Sequence, residues 1–317
     1  MSLPHAHTEQ DFDKLDLDAP EFRIAVAGLT AKHGIRCDEP LRFNSGSLPV
    51  FAIGDELVVK LYPQVFLGEA DHEAAWLGHL HARLPIKTPK LEARGDLDGW
   101  AYVIMSRLPG RLLSDAWEEL KRADQHRLAE DLGHALAALH ALESQNLPST
   151  AKSWPIFVGS QRAGCVARQR KLGLDEAWLQ QIPDFLAEVE LGTSTPDVPL
   201  HTEVMREHLF VEEREGRAQL SGLFDFEPSM LGAAEYEFAS VGLFFACGDA
   251  SIFRRVLGAY GYQPGDLNRE LQRRCMSWGL LHRYSHLPWY MRRIPPSNDI
   301  KTLDGLAALW WRLDSSG

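Results

Sequence analysis

The stretch His201-Thr202-Glu203-Val204-Met205-Arg206-Glu207-His208, returning through an apolar hairpin to Gly222-Leu223-Phe224-Asp225-Phe226-Glu227, decides how this chain is read. Leu209-Phe210-Val211 and the run from Gln219 to Phe226 have strand composition, and the polar segment Glu212 to Arg217 lies between them, so a short hairpin is expected. Loop, hairpin and second loop are expected to place Glu203 and Asp225 close together across a cleft although they are far apart in the chain. An acidic residue set directly between Phe224 and Phe226 after a β-run is poorly explained as surface decoration. Phosphoryl transfer asks a protein for this equipment. It needs a carboxylate to orient or deprotonate an attacking hydroxyl, and oxygen ligands to hold magnesium on the phosphates. Glu203 suits the first task and Asp225 the second.

Working outward, Lys60 stands inside the β-rich run Leu57-Val58-Val59-Lys60-Leu61-Tyr62. Gly54-Asp55-Glu56 separates that run from the segment Leu48 to Ile53, a hairpin signal. Ala74, Leu77, Leu80 and Leu84 recur at helical spacing from about Glu69 until Pro85 and Pro89 break the pattern, and this helix carries Glu73. A strand lysine followed by a helix glutamate is an order suited to gripping a nucleotide's α/β-phosphates. Before the first strand, Asn44-Ser45-Gly46-Ser47 offers small residues whose N–H groups can approach phosphate. Pro20 opens a helix that ends at His33-Gly34, and Trp100 to Leu108 reads as a further strand ending at Pro109-Gly110. Beyond that turn Leu128, Leu132, Leu136 and Leu139 mark a buried helix, and the remainder is mostly helical. The expected organisation is therefore a β-rich segment, 1–108, and a helical one, 109–317, with a ligand site in the cleft between such lobes. Leu191 to Pro196 reads as an exposed loop.

Composition narrows the field. The 317 residues are 45% hydrophobic and 24% charged, ordinary globular usage. The formal net charge of -11 argues against a duplex nucleic-acid partner and favours a cationic small-molecule ligand. Cys37, Cys165, Cys247 and Cys275 are scattered without the spacing of a zinc cage or a disulfide scaffold, which fits free thiols in a reducing compartment. The N-terminal residues lack the pattern of a signal peptide, and no run is long enough for a membrane span, so a soluble cytoplasmic protein without a membrane partner is expected.

Taken together, these residues resemble the aminoglycoside phosphotransferase family of small-molecule kinases. His201 to His208 followed by Leu223-Phe224-Asp225-Phe226 is similar to that family's H-G-D-x-x-x-x-N loop, short hairpin and I-D-F/W motif. Lys60 and Glu73 match the strand lysine and its helix partner, Met105-Ser106-Arg107-Leu108-Pro109-Gly110 the interlobe hinge, Leu139-His140-Ala141-Leu142 the L-H-x-L helix end, and Tyr236-Glu237-Phe238-Ala239 the Y-D-L-A helix. The resemblance runs from about Phe43 to Ala239. It implies an α+β, bilobal, protein-kinase-like fold with ATP, or alternatively GTP, and Mg2+ as cofactors. It further implies transfer of a phosphoryl group to a hydroxyl of a small molecule, an aminoglycoside or another cationic acceptor. The implied nucleotide-binding residues are Ser45, Gly46, Ser47, Lys60, Glu73, Met105 and Arg107. Glu203 and Asp225 are the implied catalytic pair, and Asp225, His208 and Glu227 the candidate metal ligands.

Two positions depart from the family pattern. Glu203 stands where the family has aspartate, one methylene longer, which requires the loop to withdraw slightly. His208 stands where it has asparagine, and imidazole is a poorer magnesium ligand than an oxygen. Glu227 adds a carboxylate that compensates in the metal shell if the turn points it inward. Two other readings stay open: a nucleotide-binding pseudokinase, and an oxygenase using His201, Glu203 and His208 as a two-histidine, one-carboxylate iron site. Near the C-terminus, Trp278, Trp289, Tyr290, Trp310 and Trp311 are read as core packing, and His282 and His286 as four apart on one helix.

Overall fold

The computed structural model describes residues 2–44, 46–145, 147, 153–191 and 197–313. It is an α+β chain with a sheet-rich N-terminal region and a helical remainder, the fold class the resemblance implied. The chain divides into two compact units, one made of Met1–Pro109 with Gly222–Pro228, the other of Gly110–Ser221 with Ser229–Gly317.

In the first unit α1 (Glu9–Phe12) is opened by a reciprocal capping box between Thr8 and Asp11. Helix α2 (Pro20–Lys32) starts on proline and stops before Gly34, whose φ of +69° no helix continues. Strands β1 (Leu41–Arg42), β2 (Val50–Ile53), β3 (Leu57–Tyr62), β4 (Leu91–Leu97) and β5 (Trp100–Ser106) form an antiparallel sheet in the order β1-β2-β3-β5-β4. Central β3 pairs with β2 and β5, Lys60 lying opposite Val50 and Val103. Sequence reading finds one strand after the helix where the structure has two. The turn between them is Asp98-Gly99, both left-handed with φ of +52° and +82°, as tight hairpins require. Helix α3 (Leu67–Leu80) buries Ala70, Glu73, Leu77 and Leu80 at intervals of three and four, so the carboxylate rides on the apolar face.

The second unit begins with β6 (Arg111–Leu112), α4 (Leu113–Ala116), α5 (Arg122–His140), α6 (Trp154–Lys171), α7 (Glu176–Leu179) and α8 (Ile182–Glu188). Strands β7 (Val198–Leu200), β8 (Leu209–Arg214), β9 (Arg217–Leu223) and β10 (Met230–Gly232) follow. Helices α9 (Glu237–Ser240), α10 (Ala250–Tyr260), α11 (Arg269–Leu281), α12 (Leu287–Arg293) and α13 (Leu303–Trp310) complete it, with a π-helical stretch, Val241–Ala246, after α9. The leucine stripe of α5 is fully buried. Its Gly133 lets α10 approach closely, because a Cβ there would strike the Val256 carbonyl. β8 and β9 belong to one sheet in the order β6-β8-β9, while β7 pairs with β10. The polar run expected to connect β8 and β9 is mostly strand. Only Glu215-Gly216 turns, both left-handed, and the charges sit where the two strands run out into solvent, Glu213 and Arg214 at the end of β8 and Arg217 at the start of β9. β9 also ends at Leu223, short of the expected Phe226.

Trp278, Trp310, Trp311 and Tyr290 are buried as expected, whereas Trp289 is 40% exposed. His282 and His286 do not share a helix: His282 closes α11 and His286 caps α12, because Pro288 can only begin a helix. The cysteines are free, with Cys165 and Cys275 buried. Of the loop expected at Leu191 to Pro196, residues 192–196 lie outside the described residues. No described helix is long and apolar enough to cross a membrane.

Candidate active site

Strand β3 carries Lys60 into the interior of the first unit, where it is 7% exposed. Three carboxylates surround its ammonium: Glu227 Oε2 at 2.6 Å, Asp225 Oδ1 at 2.7 Å and Glu73 Oε2 at 3.4 Å from Nζ. Burial alone pushes a lysine toward neutrality. The negative charges of Asp225, Glu73 and Glu227 outweigh it and hold Lys60 well above its ordinary value, so the ammonium persists. One cation cannot satisfy three anions. Burial raises Glu227 to about 8, the Lys60 charge offsetting this only in part while Asp225 and Glu73 repel a further negative charge. Asp225 follows the end of β9 with φ of +70°, a left-handed conformation that an aspartate tolerates better than most residues and that costs about 1 kcal/mol. Leu223, just before it, is pinned by its N–H to the Lys87 carbonyl at 2.9 Å.

The other candidate nucleotide residues are less concentrated. Glu73 is 1% exposed and, besides Lys60, takes a hydrogen bond from the Tyr62 hydroxyl. Met105 is buried on β5 opposite Val58. Arg107 is fastened to the β2–β3 turn: its N–H donates to the Glu56 carbonyl at 2.7 Å, its guanidinium donates to the Gly54 carbonyl at 3.0 Å, and the same group lies over Phe43. Gly46, with φ of +100°, and Ser47 are exposed before β2, and Ser45 lies outside the described residues.

In the second unit the loop from His201 to His208 is anchored through its backbone. Glu237, fully buried at the start of α9, accepts the His201 and Thr202 N–H groups on its two oxygens, each at 2.7 Å. The Thr202 carbonyl accepts from His282 Nε2 at 2.9 Å, and the Val204 N–H donates to Ser240 Oγ at 3.2 Å. Burial holds His282 down to about 4, so it stays neutral and donates from Nε2. Thr202 itself is left-handed, with φ of +74°, in a region β-branched residues avoid. The strain is held by these contacts on both sides of the residue. His201 is completely buried, and its Nδ1 accepts the Glu203 N–H at 3.3 Å. His208 directs Nδ1 at the Glu203 carbonyl, 2.9 Å away; a carbonyl only accepts, so Nδ1 carries the proton. Glu203 itself is half-buried. Arg206 braces the loop, donating to the Phe245 carbonyl and lying 3.8 Å over the Trp117 ring.

Magnesium can be tested against the residues that would hold it. Asp225 and Glu227 supply the hard oxygen donors that it prefers. Glu227 Oε2 is buried against the Lys60 ammonium, 2.6 Å away. The donor set therefore fits a divalent cation. Sequence reading passed over three contributors to this architecture: Tyr62, Glu237 as the anchor of the loop, and His282. Tyr62 was within reach, since residues two apart on a strand share a face. His282 acts across eighty residues, and nothing local announces it.

These two arrangements stand on a kinase-like fold, and comparison with known proteins agrees. The chain belongs to the phosphotransferase enzyme family, whose model matches residues 40–273. The fold is shared with the GDP complex of wild-type aminoglycoside 2'-phosphotransferase-IIIa, at TM-score 0.67 and 15% identity over 87% of this chain and 96% of that one. It is shared with ADP-bound aminoglycoside phosphotransferase APH(2'')-Ib, at TM-score 0.59 and 17% identity over 90% and 99% of the two chains. Macrolide 2'-phosphotransferase MphH from Brachybacterium faecium aligns at TM-score 0.60 and 19% identity over 87% and 99%. At such identities the likeness is one of fold. No curated protein matches the sequence. Membership of a phosphotransferase family favours phosphoryl transfer over the oxygenase alternative.

Proposed function

We propose that this protein transfers the γ-phosphoryl group of ATP, or of GTP, to a hydroxyl of a small cationic acceptor of the aminoglycoside kind. The observation that carries the reading is the buried Lys60 ammonium, held among Glu73, Asp225 and Glu227. Leaving water is costly for so many charges, and a function that uses them explains their retention better than stability does. Lys60, oriented by Glu73, grips the α/β-phosphates. Asp225 and Glu227 would hold magnesium, which when bound would neutralise phosphate charge. Glu203 takes the acceptor's hydroxyl proton as the acceptor oxygen bonds to the γ-phosphorus, and the bond to the bridging oxygen breaks to release the nucleoside diphosphate. His201 supports the loop, and His208 fixes the Glu203 carbonyl.

The acceptor class is supported by the net charge of -11 and by two kinds of fold relative, aminoglycoside and macrolide phosphotransferases. The test is nucleoside diphosphate release in a coupled assay with ATP and GTP, across aminoglycosides, macrolides, choline-like amines, homoserine and small sugars. Turnover with a cationic hydroxyl compound is expected. Tight Mg-nucleotide binding without turnover on any acceptor would move the protein to the pseudokinase alternative. Turnover confined to uncharged sugars would overturn the acceptor class alone.

A further inference from the structure

Lys60 and Tyr62 are two apart on β3, so strand alternation presents the ammonium and the phenol to the same side of the sheet. Both reach Glu73 of α3 at the same oxygen. Tyr62 donates its hydroxyl to Oε2, and Lys60 Nζ lies 3.4 Å from that atom. Tyr62 is fully buried, Glu73 is 1% exposed, and the ammonium sits 5.3 Å from the Tyr62 ring centroid. Burial, with the negative charge of Glu73 added, keeps the phenol protonated, so it donates at any ordinary pH.

The distances around Lys60 are unequal. Its ammonium is within direct hydrogen-bond reach of Asp225 and Glu227, yet stands off from Glu73 by a further 0.7 Å or so. A glutamate has three side-chain torsions, and one with no second tether would be free to swing onto the nearest ammonium. The phenol removes that freedom. We propose that Tyr62 is a positioning residue for nucleotide binding: by clamping Glu73 it fixes where the Lys60 ammonium rests, and so prepares that ammonium for a phosphate. The inference rests on the phosphotransferase reading above and adds to it a residue and a coupling. A tyrosine buried only for packing would have its hydroxyl satisfied and nothing more, so the two roles differ in whether Tyr62 and Glu73 act as one unit.

The experiment is a double-mutant cycle read by MgADP binding in calorimetry, with thermal unfolding of each variant recorded alongside. Tyr62→Phe is expected to weaken MgADP about tenfold, and Glu73→Gln by at least as much. In the Glu73→Gln background Tyr62→Phe is expected to cost less than twofold, a non-additivity that a packing role does not produce. Glu73→Asp, which keeps the charge but withdraws it from the hydroxyl, provides a second route to the same answer should Tyr62→Phe fold poorly. It is expected to bind about tenfold more weakly than the parent. Full additivity of the Tyr62 and Glu73 changes, or unchanged MgADP affinity in folded Tyr62→Phe or Glu73→Asp, overturns the inference while leaving the phosphotransferase reading intact. Failure of the parent protein to bind MgADP at all would remove that reading and the inference with it.

Discussion

The Lys60 cluster and the His201–His208 loop are both secured by buried carboxylates, in opposite ways. Around Lys60 three carboxyl groups crowd one cation, and the contacts are polar, between side chains, and exchangeable for a ligand's charges. Around the loop one carboxylate, Glu237, serves two backbone N–H groups, assisted by the neutral His282 and by Ser240. Such bonds hold the main chain and offer nothing for a ligand to displace. The difference separates groups that participate from groups that support, and it can be challenged from both sides.

The largest effect is expected in the ionic cluster. Asp225→Asn should lower turnover on the order of 1000-fold with little change in unfolding free energy, measured by coupled assay and urea titration. Glu203→Gln should cost about 100-fold, again with the fold intact. Losses below tenfold in both would dissolve the assignment of participants. Glu237→Gln reverses the pattern, because its amide sets an N–H against a backbone donor. It should destabilise the protein by about 2–3 kcal/mol in urea, and an unchanged midpoint would show that the loop does not depend on it.

The two regions also predict opposite pH slopes. The Glu227 carboxyl is raised to about 8 in the folded protein from an ordinary 4.5, so the native state holds a proton that the unfolded chain releases. Its contribution to stability is therefore lost as pH rises through that window, and Glu227→Gln should flatten the decline. His282 is depressed to about 4 from 6.5, so its contribution is complete above 6.5 and lost as pH falls through 4. His282→Asn should flatten the acid side. Equal slopes in parent and variants would erase the distinction. The smallest change expected is His208→Asn, under tenfold in the magnesium concentration needed for half-maximal turnover. A larger shift would make His208 a ligand.

Much of this was legible in the amino-acid order, because it rests on local physics. Lys60 within Leu57 to Tyr62, the glycine-bearing turn before it, the leucine stripe of α5 and Asp225 after a β-run all follow from periodicity and turn chemistry. The Asp98-Gly99 hairpin was equally available, a strong turn signal that a long apolar run obscured. What the order of residues hides is non-local. The three-residue partners β7 and β10 pair Leu200 with Met230 without any pattern of their own. Histidines spaced as on a helix were parted by Pro288. The stop of β9 at Leu223, and with it the left-handed turn that aims Asp225, depends on pairing that periodicity does not report.

The segment Gly222–Pro228 groups with the N-terminal portion although more than a hundred residues of the other unit precede it. A fragment ending at Pro109 would thus keep Lys60 and Glu73 but forfeit Asp225 and Glu227, stranding an ammonium with a single counter-ion in an apolar interior. The charge balance of the sheet-rich portion is thus completed by a segment that the chain supplies only after Ser221.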